Sequence, residues 1–432
     1  MLCLSISADA SWVTPSTVTT ATATPPSMLM EGLSSQPSAG PSTNSPPTSL
    51  EAFDDSANAA EFRANLGYYR SQLLQLLSTI LARECLSFCP VSERELEREL
   101  ATHASTALAD ALLAIGAVLT KDHPRLATAL LAPGSLDPDS LGQAFAYEAI
   151  IALHNGTGRP RRVADIQALG VLSLYALTCD KLQQGREFAA DFCAAIAELW
   201  RAEPSSEIHK GSLADKEALA SIYCAAVSLN RVLFLISDYN MTLDAYTRSV
   251  CMDDFQAVGD TETAALPSQL NLSNSIIDDA FFHKDLSSIP DNPRVIVAKL
   301  FELAEWTYLA RSGPQQATFE GAVQVYSQGL RWYETFFQYT SGCGKTNTSL
   351  ILFVHTFYHF CVLCLLTPHI LESVPIARDG TRADTVCKQA ADSICELITH
   401  YRQLHGGERL LGFVPMFESA ARASLGEART SR

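Results

Sequence analysis

The residues whose types and spacing come nearest to a metal or redox site lie in the apolar stretch 350–366. Cys361 and Cys364 are separated by two residues, and His355 and His359 by one helical turn. A tetrahedral zinc site needs four ligands that converge. On an ideal helix Cys361 lies about 240° around the axis from His355, so the thiols and imidazoles point to different sides. We therefore expect no metal here, small apolar core cysteines, and a core role for His359.

A second cysteine pair, Cys85 and Cys89, comes directly before Pro90. No partner pair lies nearby to complete four ligands, so burial or capping at a helix end is the expected role. The twelve cysteines are scattered along a chain of 432 residues rather than concentrated in a short disulfide framework. This pattern indicates reduced, buried thiols of a nuclear or cytosolic protein.

Two carboxylate pairs could in principle hold magnesium and a diphosphate, as in class I terpene synthases. Such enzymes need a third Asp three residues after the pair, so that all carboxylates share one helix face. Ala257 stands there after Asp253-Asp254, and Phe282 after Asp278-Asp279. We expect both pairs to lie on solvated loops or helix starts, and a terpene-synthase-like enzyme stays only a remote alternative.

The segment Gly342-Cys-Gly-Lys-Thr346 ends like a phosphate-binding loop. That loop needs a further Gly at position 339, where this chain has Tyr, and a β-strand before it. A turn between two helices is the expected structure. No nucleophile elbow, zinc-protease pair or dinucleotide fingerprint is present in the sequence. We therefore predict no catalytic, cofactor-binding or metal residues, no cofactor, and no enzyme.

Charge excludes a strong nucleic-acid surface on this chain. The formal net charge is −16 and the pI is about 5.0. The nearest basic cluster is Arg159, Arg161 and Arg162, expected to be a solvated loop before a helix. Residues 350–366 carry no formal charge, but they include polar side chains and we found no second candidate span. A buried core helix is expected there, with no membrane partner.

The elements that position these residues are predicted to be helices throughout. Residues 1–54 are rich in Ser, Thr, Ala and Pro and are expected to be a disordered linker. Residues 55–432 are expected to form one large, irregular all-α domain with roughly ten to fourteen helices. Helical spacing is found at 62–77, 107–119, 141–154, 163–177, 187–200, 213–239, 294–311 and 319–340, followed by 350–366 and an amphipathic helix near 386–401. The short loop 179–185 predicts that the helices 163–177 and 187–200 pack as an antiparallel hairpin. Residues 240–272 are predicted to be irregular.

Four segments resemble the regulatory, or middle homology, region of fungal zinc-cluster transcription factors. The apolar segment 350–366 ends in a Leu-Leu-Thr-Pro turn, and a Cys-x-x-Ala-Ala-x-x-Ile helix follows at 387–394. Residues 162–177 are similar to the family's Val-Gln-Ala-Leu-x-Leu-Leu-Ser-x-Tyr helix, and Gly185 and 188–199 to the helix after it. In 221–234 the triplet Leu-Asn-Arg stands where the family has Leu-Asp-Arg, with Asn230 replacing Asp.

The resemblance implies an all-α regulatory domain of a transcription regulator in the nucleus. Its expected partners are proteins of the transcription machinery or a paralogue, with a small-molecule inducer as a further partner. The family's six-cysteine zinc head is not expected within this sequence, because Cys3 is the single cysteine before position 85. Either the protein has lost the head, or the head lies upstream of the first residue given. Direct DNA binding is therefore implied by the family and not by this chain. The alternative is a headless helical scaffold that competes with a full-length paralogue.

Overall fold

A computed structural model gives the structure of the protein. It describes residues 88, 106–120, 138–154, 159–201, 213–251, 293–312, 318–342, 348–372, 374–377, 380–405 and 412–426. This part of the chain is 88% helical, with ten α-helices and no strand, so the predicted all-α class is confirmed. The predicted linker 1–54 and the predicted helix 62–77 lie outside the described residues.

Nine of the ten described helices follow the order of the predicted segments, and the last one, at 414–424, was not predicted. The ten are α1 (Thr106–Thr120), α2 (Pro138–His154), α3 (Val163–Thr178), α4 (Leu182–Arg201), α5 (Leu213–Cys251), α6 (Pro293–Ser312), α7 (Phe319–Gly342), α8 (Ser349–Leu366), α9 (Ala383–His405) and α10 (Val414–Ser424). A 3₁₀ turn, Thr367–His369, joins α8 to the segment before α9.

Helix α8 lies at the centre of the C-terminal part of the body. Its side chains are apolar on almost every face, which is the pattern of a helix surrounded by protein. The Thr348 hydroxyl accepts a hydrogen bond from the Ile351 amide and caps its first turn. Pro368 cannot continue the α-helical ladder and falls in the 3₁₀ turn that ends it. Helices α5, α6, α7, α9 and α10 all pack against α8.

The cross-helix contacts give the direction of each neighbour. The Cys364 thiol lies 4.0 Å from the Leu235 carbonyl oxygen, and Tyr239 contacts Phe360, so α5 runs antiparallel to α8. In contrast, α5 and α6 run parallel, because later residues of one pair with later residues of the other. Arg231 pairs with Glu305, and seven residues on Asp238 pairs with Arg311.

The predicted hairpin of α3 and α4 is present, with a shorter loop than expected. Helix α3 ends in a Schellman turn, in which the Lys181 amide donates to the Ala176 carbonyl and the Asp180 amide to the Leu177 carbonyl. Asp180 occupies the left-handed position of that turn, at φ 58°. Helix α4 therefore begins at Leu182 rather than near 187, and the predicted loop 179–185 was too long.

Helix α5 continues to Cys251, so the prediction of irregular structure was wrong for residues 240–251. The remainder of that segment, 252–272, lies outside the described residues. Two stretches, Ala218–Leu243 and Ser349–His369, are long and apolar enough to cross a membrane by length and composition. The second had been identified from the sequence and the first had been missed. Most of each apolar window, 78% and 83% respectively, is buried against other helices, as in a core helix.

The described core is rich in aromatic rings where α8 meets α10. Phe357, Phe360 and Phe417 are essentially inaccessible to solvent, and the rings of Phe360 and Phe417 stack at 4.4 Å between centroids. Phe88 adds its ring edge-on to Phe357 at 5.6 Å. Full burial of such side chains stabilises the folded state by about 2–3 kcal/mol each relative to exposure. The aromatic cluster therefore anchors α10 on α8.

Candidate functional site

The histidines identified in the sequence lie between α7 and α8, beneath an aromatic layer. The Tyr333 hydroxyl and the His355 Nδ1 atom are 2.8 Å apart, a hydrogen bond between the two helices. The Phe337 ring stacks on the His355 imidazole at 3.5 Å between centroids, and the Tyr333 ring meets the His359 imidazole edge-on at 5.8 Å. The i, i+4 spacing thus brings both imidazoles onto one face, as predicted.

His355 and His359 are half-buried, and their partial burial beneath these rings controls their protonation. It lowers the pKa of His355 to about 3, with His359 adding a smaller lowering effect as a neighbouring positive charge would. Burial also lowers the pKa of His359 to about 4. Both imidazoles are therefore neutral near pH 7, because removing a charge from water into a protein interior is unfavourable. A neutral pair in an aromatic layer is a packing arrangement, in keeping with the role expected for His359.

The cysteines of the same helix point to other neighbours. Cys361 lies beside Thr307 of α6, and Cys364 beside the Leu235 carbonyl of α5. The Thr367 hydroxyl lies 4.0 Å from the Cys387 sulfur on α9. Burial raises the pKa of the Cys361 and Cys387 thiols to about 12, and that of Cys364 well above its usual range. These thiols are therefore protonated at neutral pH and pack as small core residues.

No three histidine, cysteine or carboxylate side chains converge into a metal-binding group anywhere in the described ranges. Cys361 and the two imidazoles lie on different sides of α8, as the helical geometry predicted. Cys85, Cys89 and the carboxylate pairs at 253–254 and 278–279 lie outside the described residues. For His355, His359 and the thiols of α8, the pKa directions favour hydrogen bonding between neutral groups.

The triplet Leu229-Asn230-Arg231, which carried part of the family resemblance, joins three helices. The Asn230 side-chain amide donates to the Ala189 carbonyl of α4 at 2.7 Å and to the Ala226 carbonyl of α5 at 3.0 Å. The Arg231 guanidinium forms an ion pair with Glu305 of α6 at 2.8 Å and lies 3.6 Å from the centre of the Tyr308 ring. The Asn replacing Asp is thus a neutral donor suited to main-chain carbonyls.

A further polar contact connects α6 to α7. The Trp332 indole donates to Glu302 at 3.0 Å, and Lys299 forms an ion pair with the same carboxylate at 2.9 Å. Burial raises the pKa of Glu302, while Lys299 and Trp332 partly offset that effect. Such a buried carboxylate needs these donors, because an unpaired buried charge is costly.

Sequence reasoning missed a histidine–carboxylate pair in the 3₁₀ turn. His369 is 4% exposed, and its Nδ1 atom lies 2.7 Å from a Glu372 carboxylate oxygen. Its Nε2 atom is buried without a hydrogen-bond partner, and the Phe319 ring meets the imidazole edge-on at 5.6 Å. The His-x-x-Glu spacing after a helix-ending Pro was the signal that could have identified it.

The phosphate-loop-like segment starts where α7 ends, at Gly342, and α8 begins seven residues later at Ser349. The arginines at 159, 161 and 162 are exposed, and Arg159 makes a loose surface ion pair with Glu198 at 3.7 Å. Residues 343–346 of that segment lie outside the described residues, whereas the exposure of the three arginines agrees with the predicted solvated loop. No protein-family model, no curated protein and no solved structure matches this chain, so the family resemblance rests on the quoted segments alone.

Proposed function

We propose that this chain is a non-catalytic regulatory domain of a fungal zinc-cluster-type transcription factor, acting in the nucleus through protein partners. The observation that carries the proposal is the place of the resembling segments in the fold. They correspond to α3 with α4, the middle of α5, and α8 with α9, and these helices pack as neighbours. A resemblance spread over distant surfaces would have no such common structural basis.

The chemistry of the buried groups also supports a regulatory rather than a catalytic role. A catalytic cysteine is activated by a lowered pKa, and a catalytic histidine by a pKa near the working pH. In this chain burial raises the pKa values of the α8 thiols and lowers the pKa values of the α8 imidazoles. These directions stabilise the neutral forms, which suit a packed helical body that presents surfaces to other proteins.

A reporter assay tests this function in cells. The full chain is fused to a heterologous DNA-binding module in a fungal host that carries a matching reporter gene. We expect reporter transcription to change several-fold relative to the module alone, in either direction, because a regulatory domain recruits or blocks partners. An unchanged reporter, with the fusion present in the nucleus at the level of the control, would refute the proposal.

A matched pair of variants makes the assay specific to the folded body. Arg231→Met removes the ion pair between α5 and α6, whereas Arg159→Met removes an exposed arginine whose ion pair is loose. We expect the first to weaken the reporter response and the second to leave it intact. Purified protein incubated with prenyl diphosphates and magnesium provides the remaining check, because turnover would contradict a non-catalytic domain.

A further inference from the structure

Within the part of the chain that the structure describes, helix α7 contacts the rest of the protein along one side. An exposed polar stripe runs along its outer face, with at least one member in each turn, namely Glu320, Gln324, Ser327, Arg331, Glu334, Thr335 and Gln338. Its inner face packs against α6 and α8. Two polar contacts join it to them: Trp332 donates to Glu302 of α6, and Tyr333 bonds His355 of α8.

The surface of α8 that α7 covers carries two titratable side chains one turn apart. Tyr333 bonds His355 and its ring lies against His359, while Phe337 stacks on the His355 ring. Placing a positive charge on both imidazoles would put two like charges beside one another in an aromatic layer. The Phe337 ring recovers part of that cost as a cation–π contact, but it leaves the mutual repulsion in place.

We propose that α7 is a helix released by protons: acid that charges His355 and His359 separates α7 from α6 and α8 while the remaining helices stay packed. The inference goes beyond the proposed function and does not depend on it, since it concerns one joint of the fold. The covered faces of α6 and α8 would then become a new apolar surface in mildly acidic conditions.

The other titratable groups around this joint do not reverse the effect. On the elements packed here they are Tyr326, Tyr333 and Glu334 of α7, Lys299 and Glu302 of α6, Tyr358 and Cys361 of α8, and Cys387 of α9 beside Tyr326. The 3₁₀ turn adds His369, which meets Phe319 at the first residue of α7 and pairs with Glu372. Among the described groups, His359 is the one that acts electrostatically on His355. The tyrosines and thiols have raised pKa values and remain neutral in acid.

The pKa of Glu302 is shifted so that its effect on the docking of α7 changes with pH in the direction opposite to that of the two histidines. Because burial raises its pKa, its contribution favours the docked helix at low pH and weakens as the pH rises. Release of α7 in acid therefore cannot come from Glu302. The two imidazoles have lowered pKa values, so their stabilisation is complete above an ordinary histidine pKa of 6.5 and is lost as the pH falls below it.

Hydrogen exchange followed by mass spectrometry tests the proposal on the full chain. With an ordinary pKa of 6.5 in the opened state, two protonations raise the opening constant of α7 roughly 70-fold between pH 7.0 and pH 5.5. We expect peptides from 319–342 to gain exchange by about this factor, after correction for intrinsic rates, with peptides from α3 and α4 little changed. Equal protection of α7 at both pH values, or loss of protection in all helices together, would overturn the proposal.

Variants separate the histidines from other acid effects. The double variant His355→Gln and His359→Gln should lose the pH response of α7, whereas His154→Gln, on the exposed end of α2, should keep it. A full pH response in the double variant would also overturn the proposal. If the double variant does not fold, the wild-type comparison still decides, because it requires no substitution.

Discussion

The rate at which a thiol reagent modifies Cys361 and Cys387 tests whether burial raises the pKa of these core thiols. A small aromatic disulfide is added to native protein at pH 8.0, and each modified cysteine is located by mass spectrometry. Burial raises the pKa of Cys361 and Cys387 from 9.0 to about 12. The thiolate fraction at this pH therefore falls about 1000-fold, from roughly one tenth to roughly one in 10⁴.

The higher pKa also makes each remaining thiolate a better nucleophile. With a Brønsted slope of about 0.45, three pKa units recover roughly 20-fold of the rate, so the net slowing from ionisation is about 50-fold. Burial adds a further access penalty, because the reagent must wait for the core to open. We therefore expect Cys361 and Cys387 to react at least about 50-fold more slowly in the native chain than in the denatured chain, where each thiol has its ordinary pKa.

The reference is the same reaction in denaturant, where both thiols should react at the rate of an ordinary cysteine. Native labelling of Cys361 or Cys387 within about tenfold of its own rate in denaturant would refute the reasoning. Such a result would mean that α8 is accessible or that its thiols are activated, and a nucleophilic role would have to be reconsidered.

Three further predictions concern stability and are measured by denaturant unfolding at pH 7. Asp180→Gly should stabilise the fold by about 0.5–1 kcal/mol, since Gly adopts the positive φ of the α3 turn at no steric cost; no gain would contradict the turn geometry. Phe417→Ala should cost about 3–5 kcal/mol by emptying the aromatic cluster, and a loss below ~1 kcal/mol would argue against that packing. Burial alone would raise the pKa of Glu418, but hydrogen bonds and charges from Arg402 and Arg422 outweigh burial and lower it. The contribution of Glu418 to the free energy of unfolding is therefore present above the usual Glu pKa and is lost as the pH falls below it. Glu418→Gln should therefore cost about 1 kcal/mol at pH 7, a difference that shrinks by pH 4; a cost independent of pH would exclude the ion pair as its cause.

Apolar periodicity predicted the helices well because burial itself selects that spacing. The segments 163–177, 294–311 and 319–340 differ from the observed helices by at most two residues at either end. Periodicity failed where polar side chains begin or extend a helix. Gln183 bonds Glu187 within the first turns of α4, and Thr242 bonds the Asp238 carbonyl within α5, so both polar stretches are helical.

The sequence predicted which histidines share a face of α8, but not the residues of other helices that contact them. The i, i+4 spacing placed His355 and His359 on one face, which needs local geometry alone. Tyr333, which bonds His355, is 22 residues away and on another helix, so its role depends on the way in which α7 packs. Arg231 and Glu305 are 74 residues apart in the sequence, so their ion pair likewise could not be predicted from a local sequence pattern.

The parallel course of α5 and α6 has a consequence for the order of folding. Two helices in a hairpin, such as α3 and α4, can meet as soon as their short turn forms. Helix α6 cannot join α5 until a loop of about 74 residues has closed, and this costs about 2 kcal/mol more entropy than closing a loop of about ten residues. The α3–α4 unit should therefore assemble early on the nascent chain, and the α5–α6 contact should be among the last steps to native structure.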